Sequence, residues 1–127
     1  MILVDISVWI DHLRVGDKAL AGLLDTGRVL THPFIIGELA LRNLRQRELM
    51  LNALAALPRA PIATDAEVLH FIGRNLLFGR GLGYVDVHLL AGARLTAGTQ
   101  LWTNDKRLHG IAAQLGLAFA PPWRRGS

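Results

Sequence analysis

The first nine residues, MILVDISVW, constrain this chain more than any other stretch. Four apolar residues run unbroken into Asp5, and Ser7 follows two positions later. An apolar run that ends in a carboxylate is the pattern of a parallel strand buried on both faces, which delivers an acid to the sheet's carboxyl edge. In open α/β sheets, ligands bind at that edge. The pattern recurs near the other end of the chain as TQLWTNDKRL, a short apolar run that empties into Asp105. Two strand-end carboxylates suggest one shared site.

The segments between them set the fold class. Ser7 is a candidate N-cap for a short helix, VWIDHLR, that stops near Gly16. Asp17 caps KALAGLLDT, which ends at Gly27. RVLTH reads as a strand, and Pro33 suits the first turn of a helix carrying FIIGELALRNLRQ. A further helical run, ELMLNALAAL, stops at Pro58; PIA reads as a third strand, and Thr64 or Asp65 caps the helix AEVLHFIGRNLLF. After the loop GRGLG come the helix YVDVHLLAGARLTAG, the strand TQLWT, the helix KRLHGIAAQLG and a last short strand, LAFA. Strands separated by helices predict an α/β fold with a central parallel sheet and helices on both faces. Residues 1–122 are expected to form this domain, and residues 123–127 a loose tail.

Composition removes several alternatives. A length of 127 residues suits one core. A hydrophobic fraction of 51% and a mean hydropathy of +0.32 argue against disorder. Charged or polar residues interrupt every apolar run before the roughly 18 residues of a membrane span. The N-terminus lacks the basic region of a signal peptide. Together with the absence of cysteine, these features suit a cytoplasmic protein. The net charge is +4, and twelve of the fourteen cations are arginine, the side chain suited to bidentate phosphate contacts. Charge alone leaves nucleic-acid binding and a genome-wide preference for arginine equally open.

Two further acids stand in apolar surroundings: Glu38 in PFIIGELAL and Asp86 in GYVDVHLLA. Ionised carboxylates there are costly unless paired or bound to a metal. Each of the four acids has an ordinary explanation. Asp86 favours the helix dipole, by about 0.3–1 kcal/mol. Glu38 has Arg42 one turn on, an arrangement worth about 0.2–0.5 kcal/mol. Asp5 and Asp105 can cap helices. Together the four predict a pocket at one sheet edge, where like charges repel unless a cation intervenes. Oxygen ligands of high negative charge suit Mg²⁺ or Mn²⁺ rather than zinc. Setting these four aside leaves six acids against fourteen cations, so the remaining surface is strongly basic. An acidic metal site in a cationic surround suits a phosphodiester substrate.

The motifs MILVDISVWIDHLR, PFIIGELAL, GYVDVHLLA and LWTNDKRL, in that order, resemble the PIN-domain ribonucleases, most closely the VapC-type toxins. The resemblance covers nearly the whole chain and implies a PIN-like three-layer α/β/α sandwich. It implies that Asp5, Glu38, Asp86 and Asp105 form the catalytic acidic cluster around Mg²⁺ or Mn²⁺, with Asp5, Asp86 and Asp105 as metal ligands. Ser7 and Thr103 match the hydroxyl positions that orient those acids, and Asn104 is a second supporting partner. Ile6 departs from the pattern, because many relatives carry a small polar residue there. The family further implies a cytoplasmic, metal-dependent endoribonuclease, usually a homodimer, silenced by a VapB-type antitoxin. Arg42 and Arg45, expected one and two turns beyond Glu38 on the same helical face, are candidate RNA contacts, as is Arg80 in the Gly-rich loop. A solvated basic face is the competing reading of all three.

Rival readings fit less well. A metal-free ribonuclease needs histidines that meet in space, and His12, His32, His70, His88 and His109 are scattered along the chain. A haloacid-dehalogenase-type phosphatase needs a second aspartate where Ser7 stands, and a phosphorelay receiver needs its acceptor acid on a middle strand. The non-enzyme alternative is an idle PIN-type module that binds RNA or a protein partner. All four acids are present, and binding RNA requires no cluster of negative charge.

Overall fold

The computed structural model describes residues 1–121. Strand β1 (Ile2–Val4) lies between β2 (Val29–Leu30) and β3 (Gln100–Trp102) in a parallel sheet of order β2-β1-β3. Leu3 pairs with Leu30 on one side and Leu101 on the other, and Val4 pairs with Trp102. Successive strand residues point to opposite faces, yet Ile2, Leu3 and Val4 are all at most 2% exposed. Both faces of β1 are therefore covered, as a parallel sheet requires. Each such side chain contributes about 1.5–3 kcal/mol by leaving water.

Seven helices among the described residues complete the α/β fold: α1 (Ile6–Val15), α2 (Lys18–Asp25), α3 (Pro33–Ala40), α4 (Arg47–Ala55), α5 (Asp65–Arg74), α6 (Tyr84–Arg94) and α7 (Lys106–Gln114). Local chemistry sets their starts. Asp17 Oδ1 accepts from the backbone N–H groups of Ala19 and Leu20. Thr64 and Glu67 exchange side-chain and backbone bonds in a capping box that opens α5. Pro33 occupies the first turn of α3, and His32 Nδ1, rather than an oxygen, accepts from Phe34 N–H.

Four expectations need correction. Ser7 is not an N-cap: Asp5 holds that position and Ser7 lies inside α1, because its hydroxyl is used elsewhere. The helix from Pro33 ends at Ala40 rather than continuing through Gln46, which itself adopts a left-handed φ of 50°. PIA forms no strand. A single parallel bridge joins Thr31 to Arg59, because Pro58 and Pro61 on either side lack the N–H a ladder needs. LAFA is likewise reduced to one bridge, Leu101 with Ala118. Trp9 and Trp102 are both buried, the latter against Phe119. Within α4, Leu54 enters the core while Leu49 faces solvent. Trp123 and the expected tail, 123–127, lie outside the described residues. Among the described residues, no helix is long and apolar enough to cross a membrane.

Candidate active site

The sheet's carboxyl edge carries Asp5 directly after β1. Its backbone N–H donates to Trp102 O at 2.9 Å, tying it to the end of β3. Asp5 has the extended backbone of an N-cap (φ −71°, ψ 158°), yet its carboxylate does not cap α1. Oδ2 instead accepts from Thr103 Oγ1 at 2.7 Å and from Ser7 Oγ at 2.9 Å. Each hydroxyl spends its one proton on Asp5 and accepts in turn: Thr103 from Asp105 N–H at 3.0 Å, Ser7 from Asn104 N–H at 3.0 Å. A 5% exposed carboxylate is thereby held by two charge-assisted bonds. The same two hydroxyls fix the loop that carries Asp105. Asn104 Nδ2 donates to Asp11 Oδ2 at 3.0 Å, anchoring that loop to α1.

For Asp105 the capping explanation holds in part. Oδ1 accepts from Leu108 N–H at 3.0 Å at the start of α7. Asp105 and Asp86 line a cleft of about 390 Å³ together with Gly81, Leu82, Lys106 and Arg107. Asp86 lies in the first turn of α6, where Oδ2 accepts from Gly83 N–H at 3.3 Å. Burial raises its pKa above the ordinary carboxylate value against the lowering effect of the Gly83 bond, and the charges of Asp5, Asp105 and Glu38 push the same way as burial. Three acids that are distant in sequence thus act electrostatically on Asp86. Glu38, half-buried on α3, does not pair with Arg42, which lies beyond the end of that helix. Among the described residues the only ion pair within 4.0 Å is Arg14 with Asp11, at 3.6 Å. None of the four acids is neutralised by a cation of the described residues.

No three His, Cys, Asp or Glu side chains among the described residues stand close enough together to ring an ion as they lie. The donor set nevertheless fits a hard divalent ion. All of its donors are oxygens, no cation of the described residues lies within 4.0 Å of them, and burial together with the charges of the other three acids already raises the pKa of Asp86.

Arg42 and Arg45 are exposed in the segment between α3 and α4, not on a face shared with Glu38, because α3 stops at Ala40. They line a separate groove of about 430 Å³ with Ile10, Leu13 and Arg14. Arg80 is half-buried in the loop before α6, beside the acidic cleft. Three contributors were not anticipated. Lys106 and Arg107 line the cleft and directly follow Asp105 in sequence, which was the available signal. Asp11 left none, since its role depends on a neighbour 93 positions away.

The histidines do not build an acid–base pair at this edge. His32 and His88 are buried among Phe34 and Tyr84, and burial, then the charge of His88, lowers the pKa of His32 from 6.5 to about 4. His12 Nδ1 accepts from Asp17 N–H.

No family model matches the chain. Ribonuclease VapC32 of Mycobacterium tuberculosis, in strain CDC 1551 / Oshkosh, is 49% identical over 120 residues, which span 94% of this chain and 97% of that protein. The same figures hold for Ribonuclease VapC32 of strain H37Rv. Among solved structures, FitAB bound to an IR36 DNA fragment superposes with a TM-score of 0.65 at 20% identity, over 97% of this chain and 96% of that one. FitAcB from Neisseria gonorrhoeae gives 0.63 at 19% identity, over 97% and 99%. These two likenesses concern the fold.

Proposed function

We propose that this chain, which belongs to the VapC family of ribonucleases, is the toxin of a toxin–antitoxin pair and cleaves RNA by metal-assisted hydrolysis at the acidic edge of its sheet. One observation carries the reading. Asp5, Glu38, Asp86 and Asp105 meet electrostatically around Asp86, and no cation of the described residues lies within ion-pair distance of any of them. Clustered negative charge disfavours a polyanion unless a metal intervenes, so a purely RNA-binding role does not account for it.

Asp5, Asp86 and Asp105 would hold Mg²⁺ or Mn²⁺. Bound there, such an ion supplies the positive charge that phosphodiester hydrolysis requires. The chain's own residues do the rest. Ser7 and Thr103 hold the Asp5 carboxylate in place by donating to Oδ2, which leaves Oδ1 outside those two bonds. Glu38 has no hydrogen-bond or ion-pair partner among the described residues and takes the proton of the attacking water. The water oxygen bonds to phosphorus, the bond to the 3′ oxygen breaks, and that oxygen takes up a proton as it leaves. The products are a 5′-phosphate and a 3′-hydroxyl, and the ribose 2′-OH takes no part. Lys106 and Arg107, at the rim of the cleft, draw in the backbone.

The reading extends to a VapB-type antitoxin as protein partner, to a homodimer and to the cytoplasm. Exposed Leu41 and Leu49 supply apolar surface for such contacts. The test is cleavage of an RNA pool together with calorimetric titration of the metal-free protein with Mg²⁺ and Mn²⁺. Ion binding, cleavage that stops in EDTA, and loss of both ion binding and cleavage in Asp5→Asn are expected. Full activity in EDTA would overturn the metal assignment. RNA binding without ion binding or cleavage would establish an idle module instead.

A further inference from the structure

The acids leave unused the loop that leads into α6. Phe78 is 66% exposed and Tyr84 is 48% exposed, although rings of this size normally bury. Tyr84 opens α6, two residues before Asp86, and its ring stands edge-on to His88 with centroids 4.7 Å apart. Its hydroxyl makes one long contact, 3.4 Å to Asp65 Oδ1. Both rings line a groove of about 220 Å³ with Leu77, Arg80, Gly81 and Leu82. Gly81 and Leu82 also line the acidic cleft, so the groove adjoins it across this short stretch of backbone. Gly79 and Gly81 adopt φ of +72° and +77°, which turn the backbone on either side of Arg80.

We propose that Phe78 and Tyr84 form a stacking shelf for one unpaired base next to the scissile phosphate, with Arg80 beside them contacting the strand. The inference rests on the reading that the acidic cleft cleaves RNA. The groove is smaller than the roughly 300 Å³ at which small-molecule pockets begin, which suits one planar group rather than a whole nucleotide cofactor. Sequence-tolerant capture of single strands combines aromatic faces with a nearby cation, and both are present here beside the reacting edge. Bases inside an A-form duplex cannot reach such a shelf.

The test compares the wild type with Phe78→Ala and Phe78→Trp on matched single-stranded and duplex oligoribonucleotides. A second arm places each change in the Asp86→Asn background and follows the fluorescence of a 2-aminopurine base on binding. Expected are a ten- to hundredfold fall in kcat/KM for Phe78→Ala on the single strand, retention in Phe78→Trp, and a fluorescence change that Phe78→Ala removes. Unchanged kcat/KM in Phe78→Ala, with Asp5→Asn still inactive, would sink the shelf and leave the active site standing. Should Phe78→Ala convert a dimer into a monomer with turnover per chain unchanged, the face belongs to a second copy and the proposal is overturned. If the wild type neither binds nor cleaves RNA, the underlying reading falls and takes the shelf with it.

Discussion

Replacing Thr103 by valine keeps the shape of the side chain and removes one oxygen. That oxygen donates to Asp5 Oδ2 at 2.7 Å and accepts from Asp105 N–H at 3.0 Å, in a residue that is itself buried. A hydrogen bond to a charged group contributes about 1.5–3 kcal/mol, and leaving the Asp105 N–H unpaired costs about 1 kcal/mol more. The bond from Ser7 to Asp5 survives, so the expected loss is about 2–4 kcal/mol. For a chain of this size each kcal/mol lowers Tm by roughly 3–5 °C, which predicts a fall of about 6–20 °C. Freed from one of its two guides, the Asp5 carboxylate should also lose aim, with ion affinity or kcat/KM falling about 10- to 100-fold. Thr103→Ser restores the hydroxyl and should recover most of both quantities. Thermal melts followed by circular dichroism, with and without Mg²⁺, and a fluorogenic RNA substrate measure the two effects. A Thr103→Val protein that melts within 2 °C of wild type (roughly half a kcal/mol) and cleaves at the wild-type rate would refute the claim that this hydroxyl organises the site.

Other expectations follow from the same geometry. Asp86→Asn retains an oxygen for the Gly83 N–H and removes a charge opposed by burial and three other acids, so the metal-free variant should be as stable as wild type or more so, yet inactive. At a hundred times its Kd, Mg²⁺ should stabilise the wild type by about 2.7 kcal/mol and this variant much less; a large drop in the metal-free melting temperature would mark Asp86 as structural. The folded state holds His32 neutral down to about pH 4, against 6.5 for an unhindered imidazole, with His88 the ionisable group facing it. Below pH 6.5 the unfolded chain therefore binds a proton the folded one refuses, so stability is complete above 6.5 and declines towards 4 by about 3 kcal/mol. His32→Asn keeps an acceptor for Phe34 N–H and should flatten that slope in urea titrations; an unchanged slope would assign it elsewhere. In Gly92→Ala the new Cβ would stand 2.9 Å from Pro61 O, a backbone atom, so a loss of about 1–3 kcal/mol is expected from equilibrium unfolding.

The strand-end acids and the order of elements could be read from the sequence because burial writes itself as an apolar run and a carboxylate interrupts it. Asp5 and Asp105 stand out for that reason, and so do Glu38 and Asp86 within apolar helices. The positions of Arg42 and Arg45 could not be read in the same way. The helix carrying Glu38 ends at Ala40 with neither glycine nor proline at the break, and its continuation looks helical by composition. Ser7 has the chemistry of a cap, and only the long-range pairing with Thr103 and Asn104 reveals why its hydroxyl is spent on Asp5. PIA is strand-like by composition, while the prolines at 58 and 61 limit its pairing to one residue.

Those one-residue bridges have a further consequence. Among the described residues, the sheet finishes beyond β2 at Arg59 and beyond β3 at Ala118. Neither margin offers the long row of unsatisfied amides and carbonyls on which a foreign strand could template itself. Fibre-like stacking of released chains is thereby discouraged. A protein that captures this one has to grip helices and loops, because strand addition finds almost nothing to hold.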